Sequence, residues 1–600
     1  MSSHPSSLGV EARSGAVCRA LESCLPHYDT IIARRPSKTD ALEQLNVIDA
    51  EIRAVDTSVA LLRRRRNALS PSSRLYPEIL AHILGYLREL SPFNKSYIKG
   101  TGLVLDIGWV MATHVCSYWR TVAMQNSWLW SRITFCLGER WVTEFLRRAS
   151  VGRLDLSYAS RYQSSRVETV VNERPGVFNR ILEDAGDRIQ SLTVVGSFKL
   201  DETYPALYPT FMSTPNACID TLVLRSVSSS TPPSTGLTWP KHLFAGNAPN
   251  LRSLEVYQGF SELFTFISPV LAHLSSLTLT ANCTKTTYRE LHDLLSHASR
   301  LQHLMVTDHE WPLGEDAANS FGPINFPSLK TYHMEGPLAE SISLFHLVRV
   351  PITCSVTIAC GLKRRDNFAI EVPRLAKVIT RQDGPFTGIK TLELASRRVP
   401  KKCYMISGWR HDSSTILMDD FTEDGHPRAE TRISPDCSIM FQQPPNPGLK
   451  LDTYAPEFMS LFPLLPLGGV VNLSFRSSAL RYNFSDWPYL RRACVALRWL
   501  RLDKNIAMNF VPKSRYGTGE TPYNAPASVR ELVLANADDY HNGKLDTGAL
   551  EDALQSRGRA ALASVVTDLY NMRDLDQKFP TLKFQRVRRV YRGDAEDKNQ

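Results

Sequence analysis

From about residue 185 onward one short pattern keeps returning, Leu-x-x-Leu-x-Leu or -Val, and no other feature limits the fold of this chain as much. Leu251-Arg252-Ser253-Leu254-Glu255-Val256 and Leu274-Ser275-Ser276-Leu277-Thr278-Leu279 are clear copies, and others are centred on Leu192, Leu222, Leu304, Tyr332, Leu392, Leu500 and Leu532. An apolar residue at the middle position and another two residues later fall on one side of a short extended strand, while the residue between them faces the other way. The middle residues from Leu192 to Tyr332 lie 30, 32, 23, 27 and 28 residues apart. A unit of that size buries its apolar side only against copies of itself, so the units are expected to stack.

Those intervals suit leucine-rich repeats of irregular length, which predicts a solenoid over residues 185–590 with a curved parallel sheet on its concave wall. Amphipathic stretches such as Tyr288 to Leu295 read as helices on the opposite side. A conventional α/β domain with several parallel strands is the competing reading, and the number of related units counts against it. The longer gaps, Met334 to Ile389 and Leu394 to Leu497, hold strand-like segments, among them Ser355-Val356-Thr357-Ile358 and Ser438-Ile439-Met440-Phe441. These are expected to be either degenerate repeats or an insertion around 395–490.

Ahead of the repeats the period changes from two to about 3.5. Ala41, Leu45, Ile48, Ile52, Val55, Val59 and Leu62 alternate spacings of four and three, an apolar stripe along one helix within 39–69. Such a stripe is covered either by a partner helix in a coiled coil or by the next domain. Ser70-Pro71-Ser72-Ser73 breaks the helix, and Pro77 to Leu87 starts another, with Ile79, Leu80, Ile83, Leu84 and Leu87 expected on one face and Pro77 in the first turn. After a loop from Arg88 to Gly108, helical periodicity resumes through Val110, Val115, Trp119, Val122 and Ala123, then ends in Trp128-Leu129-Trp130. Four tryptophans, Trp109, Trp119, Trp128 and Trp130, point to a small helical module with an aromatic core and some apolar surface left for a partner.

Leu75-Tyr76-Pro77-Glu78-Ile79-Leu80, followed by Ile83 and Leu87, then Val115-Cys116-x-x-Trp119-Arg120 and Trp128-Leu129-Trp130, resembles the F-box, over residues 70–136. That motif binds the Skp-type adaptor of cullin-RING ubiquitin ligases. The resemblance implies that Leu75, Pro77, Ile79, Leu80, Ile83, Val115, Trp119 and Trp130 form the adaptor-binding surface or its core. Two departures stand out: Tyr76 occupies the position after the first Leu where the family has Pro, and the 88–108 loop is longer than usual. Glu139 to Arg148, followed by Leu154-Asp155-Leu156, resembles the sequence that follows the F-box in a fungal group of F-box proteins with leucine-rich-repeat-like tails.

Net charge is +10 over 600 residues, a dilute excess whose one sharp cluster is Arg63 to Arg66. The run reads as a nuclear-localisation patch, a phosphate-binding stripe or the solvated end of a helix; without interleaved aromatics for base stacking, nucleic acid is not an expected partner. The eleven cysteines show no regular pairing and the N-terminus lacks an apolar signal core, which points to cytosol or nucleus. No stretch approaches the roughly 18 apolar residues of a membrane span, so no membrane association is expected. Candidate chemistry is thin: Gly517-Thr518-Gly519-Glu520 lacks the lysine of a phosphate loop, Cys354 and Cys360 have no second pair for zinc, and His292 and His297 are five apart rather than four. Cys116 reads as core packing, and Asp419-Asp420 and Asp538-Asp539 as solvated loops. No catalytic residue, cofactor or metal is expected.

The expected organisation is an α+β or α/β chain: a flexible leader over 1–38, the stripe helix, the helical module, a linking or first solenoid element over 137–184, the repeats, and a polar tail over 591–600. The leading expectation is a substrate receptor of a Skp-cullin-F-box ligase whose repeats hold a protein target. A repeat scaffold that binds protein without any ligase is the alternative, and an enzyme with a site within 335–490 is a distant third.

Overall fold

The computed structural model describes residues 19, 22–23, 25–98, 102–135, 137–159, 162–164, 167–169, 175–196, 211–226, 242–257, 267–280, 288–307, 322–362, 368–381, 384–397, 403–412, 421–422, 434–442, 458, 460–476, 492–503, 528–535, 562–567, 577–586 and 588–589. Gly517 to Glu520, Asp419-Asp420, Asp538-Asp539 and the tail over 591–600 lie outside the described residues, as does most of the leader before residue 25. The chain divides into two compact units, Met1–Trp130 and Ser131–Gln600.

In the first unit, helix α1 spans Leu25–Ala33 and α2 spans Lys38–Ala68. Ser37 caps α2 by accepting the Asp40 N–H at 3.2 Å. Asp40 lies in the first turn of α2 and Arg65 and Arg66 in the last, each at the helix end whose partial charge attracts it. Helix α3, Pro77–Leu90, starts with its proline where a missing N–H costs nothing. The segment expected as a loop and an all-helical module is corrected by a hairpin: β1, Asn94–Ile98, pairs antiparallel with β2, Gly102–Asp106. A three-residue connection containing Gly100 is a recognised hairpin length, which explains the outcome.

The hairpin closes where the Trp109 N–H donates to the Ser91 carbonyl at 3.0 Å. Gly108 sits there at φ +51°, and a Cβ would meet the Ser91 oxygen at 2.5 Å, so no larger residue fits. The continuous helix expected after the loop is instead a 3₁₀ turn, Gly108–His114, then α4, Ser117–Gln125, with Cys116 extended between them.

The second unit is a mixed α/β fold built on one large, mostly parallel sheet. Its first strands are β3 Arg132–Thr134, β4 Leu154–Ala159, β5 Ile189–Gly196, β6 Thr221–Ser226, β7 Ser253–Tyr257, β8 Ser276–Thr280, β9 His303–Thr307, β10 Thr331–Pro337 and β11 Ser355–Gly361. Each pairs in parallel with the next in chain order. The sheet thus begins at Arg132, inside the span expected for the helical module. Helices α5 Glu139–Ala149, α6 Pro175–Ala185, α7 Tyr288–Ser296, α8 Leu338–Leu347 and α9 Phe368–Ile379 fall between strands.

Register follows the leucine pattern. Leu156, Leu192, Leu222, Leu254, Leu277, Leu304, Tyr332 and Val356 stand in one row, with Tyr158, Val194, Leu224, Val256, Leu279, Val306, Met334 and Ile358 in the next. All sixteen are buried. Strands β7 to β10 are each entered through a repeated backbone clamp: Gln302 and His303 donate to the Ser275 carbonyl at 2.8 and 2.9 Å, and Lys330 and Thr331 to the Gln302 carbonyl at 2.7 and 3.1 Å.

The region expected to hold an insertion is woven into the same sheet. β13 Cys403–Trp409 runs antiparallel to both of its neighbours, β12 Thr391–Arg397 and β14 Cys437–Gln442, and β14 joins β11 in parallel. β12 then pairs with β15 Asn472–Arg476, after which β16 Trp499–Asp503, β17 Glu531–Ala535, β18 Ser564–Thr567 and β19 Lys583–Arg586 resume the parallel order. No register joins β19 to β3 among the described residues. Leu473 falls in line with Leu392 and Leu500, so the Asn472-Leu473-Ser474 triplet is a repeat strand without the usual spacing.

Leu304 and Met305 are neighbours on β9 with opposite fates, Leu304 buried and Met305 exposed. Leu304→Ala is expected to lose about 3 kcal/mol, lowering the urea midpoint of the second unit, whereas Met305→Ala should stay within about 1 kcal/mol of wild type.

Candidate functional site

In the first unit α3 and α4 pack around an aromatic centre. Leu80, Leu84, Trp109, Val122, Leu129 and Trp130 are buried. The rings of Trp109 and Trp130 lie 4.9 Å apart, and the Trp130 indole donates to the Ala123 carbonyl at 2.8 Å. Tyr118 Oη donates to the Leu75 carbonyl at 2.5 Å, fastening the segment before α3 to α4. Trp128 covers the far end: Arg88 lies over its ring at 5.5 Å and donates to its carbonyl at 2.8 Å. Gly85 is required beneath it, since a Cβ there would stand 2.5 Å from the indole.

The eight residues singled out in the sequence separate into two groups. Leu80 and Trp130 are fully buried and belong to the core, while Trp119 is half-buried with its indole N–H lacking an acceptor. Ile79, Ile83 and Val115 are 48%, 40% and 56% exposed, Pro77 is exposed and Leu75 is half-buried. The single face expected for Ile79, Leu80, Ile83, Leu84 and Leu87 is therefore corrected, because successive apolar pairs straddle the boundary between the two sides of α3. Leu80 and Leu84 turn inward, and Ile79 and Ile83 turn outward.

Outward, the two isoleucines join residues the motif comparison passed over. Tyr76, Ile79, Ile83, Tyr86 and Leu90 follow spacings of three and four, and all five are exposed. That is one apolar row along the full length of α3, with nothing of this unit over it. Its signal was present in the spacing from Tyr76 but was masked by the denser inward set. Tyr76, the departure from the F-box pattern, lies at the head of this row and contributes nothing to the core.

The second unit offers a different face. The residues between the paired leucines point away from the leucine side. In the first half of the sheet this face is partly open: His303, Met305 and Thr331 are exposed and Thr193, Glu255 and His333 half-buried, while Val223 and Thr278 are buried. Arg225 stands over the Tyr257 ring at 4.4 Å and reaches Glu255 at 3.4 Å, while Tyr257 Oη donates to Glu255 at 3.2 Å. His303 Nδ1 and Thr331 Oγ1 lie 2.8 Å apart. Partial burial lowers the His333 pKa, favouring the neutral ring.

In the second half the same row is closed. Ser438, Ser407, Glu393, Ser474 and Arg501 occupy one register row across five adjacent strands, and none is more than 4% exposed. The outward orientation expected for Glu393 and Arg501 is corrected: both faces of the sheet are buried here. Arg476 pairs with Glu393 at 3.6 Å, and the hydroxyls of Ser407 and Ser474 have no hydrogen-bond partner.

The candidate ligand groups do not converge. His292 Nε2 meets the Gly322 carbonyl at 3.2 Å and His297 Nδ1 the Asp293 carbonyl at 2.5 Å. Burial pushes the Cys354 thiol up to about 12, far from a reactive thiolate. Cys116, by contrast, is half-buried. Among the described residues no three His, Cys, Asp or Glu gather as a metal site, and no helix is long and apolar enough to cross a membrane. Arg63 to Arg66 are all exposed at the end of α2.

Leu80→Ala is expected to destabilise the first unit by about 3 kcal/mol. Ile79→Ala combined with Ile83→Ala should cost less than about 1.5 kcal/mol, and thermal melts followed by tryptophan fluorescence separate the two cases. Set against known proteins, the chain matches no family model, and no curated protein matches it significantly.

Proposed function

We propose that this chain is a non-catalytic F-box-type substrate receptor of a cullin-RING ubiquitin ligase, and that its second unit is an irregular leucine-rich-repeat solenoid holding a protein target. The observation that carries the reading is the exposed apolar row Tyr76, Ile79, Ile83, Tyr86 and Leu90. It lies on the helix that bears the F-box resemblance, above a core that is already closed without it. A solvent-facing row of that length costs solubility unless a partner covers it.

The solenoid reading is supported by strands added one at a time, in one register, through the same backbone clamp. Target binding is assigned to the first half of the inter-leucine face, around Arg225, Glu255, Tyr257, His303 and Met305. The corresponding row in the second half is buried and offers no surface. Tethering a target there raises the local concentration of its lysines near the ligase, so the receptor needs no catalytic group of its own.

The test is a pull-down of purified Skp-type adaptor by the full-length chain, beside the Ile79→Ala/Ile83→Ala double variant. Wild type is expected to retain the adaptor and the variant to bind about thirtyfold more weakly, a loss of about 2 kcal/mol, while remaining folded at the assay temperature with a melt shifted far less than that of Leu80→Ala. A folded wild-type chain that fails to bind would overturn the ligase reading and leave a scaffold that binds protein without a ligase.

A further inference from the structure

Helix α2 carries a second apolar stripe, most of which the described residues of its unit leave exposed. No residue of its 31 is buried, and Leu45, Ile52, Val55, Val59 and Leu62 are exposed. The alternating spacing continues past Leu62 to Arg66 and to Leu69, which is 82% exposed just beyond the helix end. Ala41, Gln44, Ile48 and, at the far end, Asn67 are half-buried, and Tyr28 of α1 bonds to Glu51 beside the first three.

Charge along the helix is polarised. Asp40, Glu43, Asp49, Glu51 and Asp56 outnumber Lys38 and Arg53 in the first two thirds, and Arg63 to Arg66 close the helix. Among the described residues no ion pair engages Asp49, Asp56, Arg63 or Arg65.

With Leu45, Ile52, Val59 and Arg66 as one set of seam positions, and Ile48, Val55, Leu62 and Leu69 as the other, the residues flanking the seam are Asp49, Asp56 and Arg63 on one side and Glu51, Ser58 and Arg65 on the other. Flanking charges set the orientation of paired helices. Two parallel copies would set Glu51 of each beside Asp56 of the other, two like-charge contacts, and would gather all eight arginines at one end.

Reversing one copy removes the conflict. Ile52 then faces Leu62, Val55 faces Val59, Leu45 faces Leu69, and the apolar stem of Arg66 lies over Ile48. In that alignment Asp49 falls beside Arg63 and Glu51 beside Arg65, each pair occurring twice by the two-fold axis. One repulsive contact remains, Asp56 against its own copy.

We propose that α2 is a self-association element, pairing antiparallel with α2 of a second copy of this chain. It explains why the stripe stays open within one copy, why it runs on to Leu69, and why acidic and basic charge are separated along it. The inference does not rest on the ligase reading; adaptor binding and self-association are read in separate experiments.

The test is sedimentation velocity of the full chain across a concentration series. Wild type is expected to approach twice the 67.5 kDa chain mass, less so at high salt, because the flanking pairs are exposed. Ile52→Asp/Val59→Asp should leave only monomer, with unchanged circular dichroism because both sites face solvent. Arg63→Glu/Arg65→Glu should weaken pairing roughly tenfold, and adding Asp49→Arg/Glu51→Arg to the same chain should restore it. Loss on the arginine changes followed by restoration is specific to the antiparallel alignment, because in a parallel pair the arginines face no acidic residue and their reversal would not weaken binding. A wild type that stays monomeric at every concentration overturns the proposal, and if removing residues 1–24 then releases dimers, the stripe's occupant is the chain's own leader. A dimer indifferent to the arginine changes overturns the orientation.

Discussion

The second unit depends on the matched stacking of two apolar side chains per strand. Leu277 and Leu279 bury themselves only because Leu254 and Val256 lie on one side and Leu304 and Val306 on the other. A strand of five residues is too short to stand alone, and its leucines remove about 2 kcal/mol each from water only when both neighbours are in register. A one-residue slip would turn that row to the opposite face. The backbone clamp at the entries to β7 through β10, from Arg252 to Ser275 to Gln302 to Lys330, holds the register against such slippage.

That constraint leaves the other face free to vary, and the chain uses it in two ways. In the first half it is a hydroxyl-rich and sparsely charged wall, open around His303, Met305 and Thr331. In the second half the equivalent row is closed over Glu393, Ser474 and Arg501. Burying this polar row is costly, since an unpaired hydroxyl such as that of Ser407 or Ser474 forfeits about 1–3 kcal/mol. The Arg476 pair with Glu393 offsets part of that cost. The closure divides the unit into a half whose inter-leucine face is partly open and a half in which it is enclosed.

The first unit solves a related problem on a smaller scale. Its core is made from few residues, so large rings fill it: Trp109 against Trp130, with Trp128 lying on Gly85. Aromatic packing of that kind needs little chain and leaves α3 with a full apolar row on its far side. Together with the stripe on α2, this gives a module with more apolar surface than its own core absorbs.

Much of this was legible from residue order. The period-two leucine pattern identified β5 to β10 strand by strand, and the alternation of four and three identified α2, because both depend on local geometry that any solvent-facing chain must obey. Tyr288 to Leu295 was readable as a helix for the same reason. Harder to see were β13, whose residues are buried on both faces and so show no alternation, β15, whose Leu473 falls outside the regular spacing, and the hairpin of β1 and β2. Which side of α3 Ile79 and Leu80 would take, and that Glu393 and Arg501 would be enclosed while Met305 stayed open, was decided by tertiary packing. Periodicity records that a residue has a face; what covers that face is a property of chain segments distant in sequence, and no local pattern encodes it.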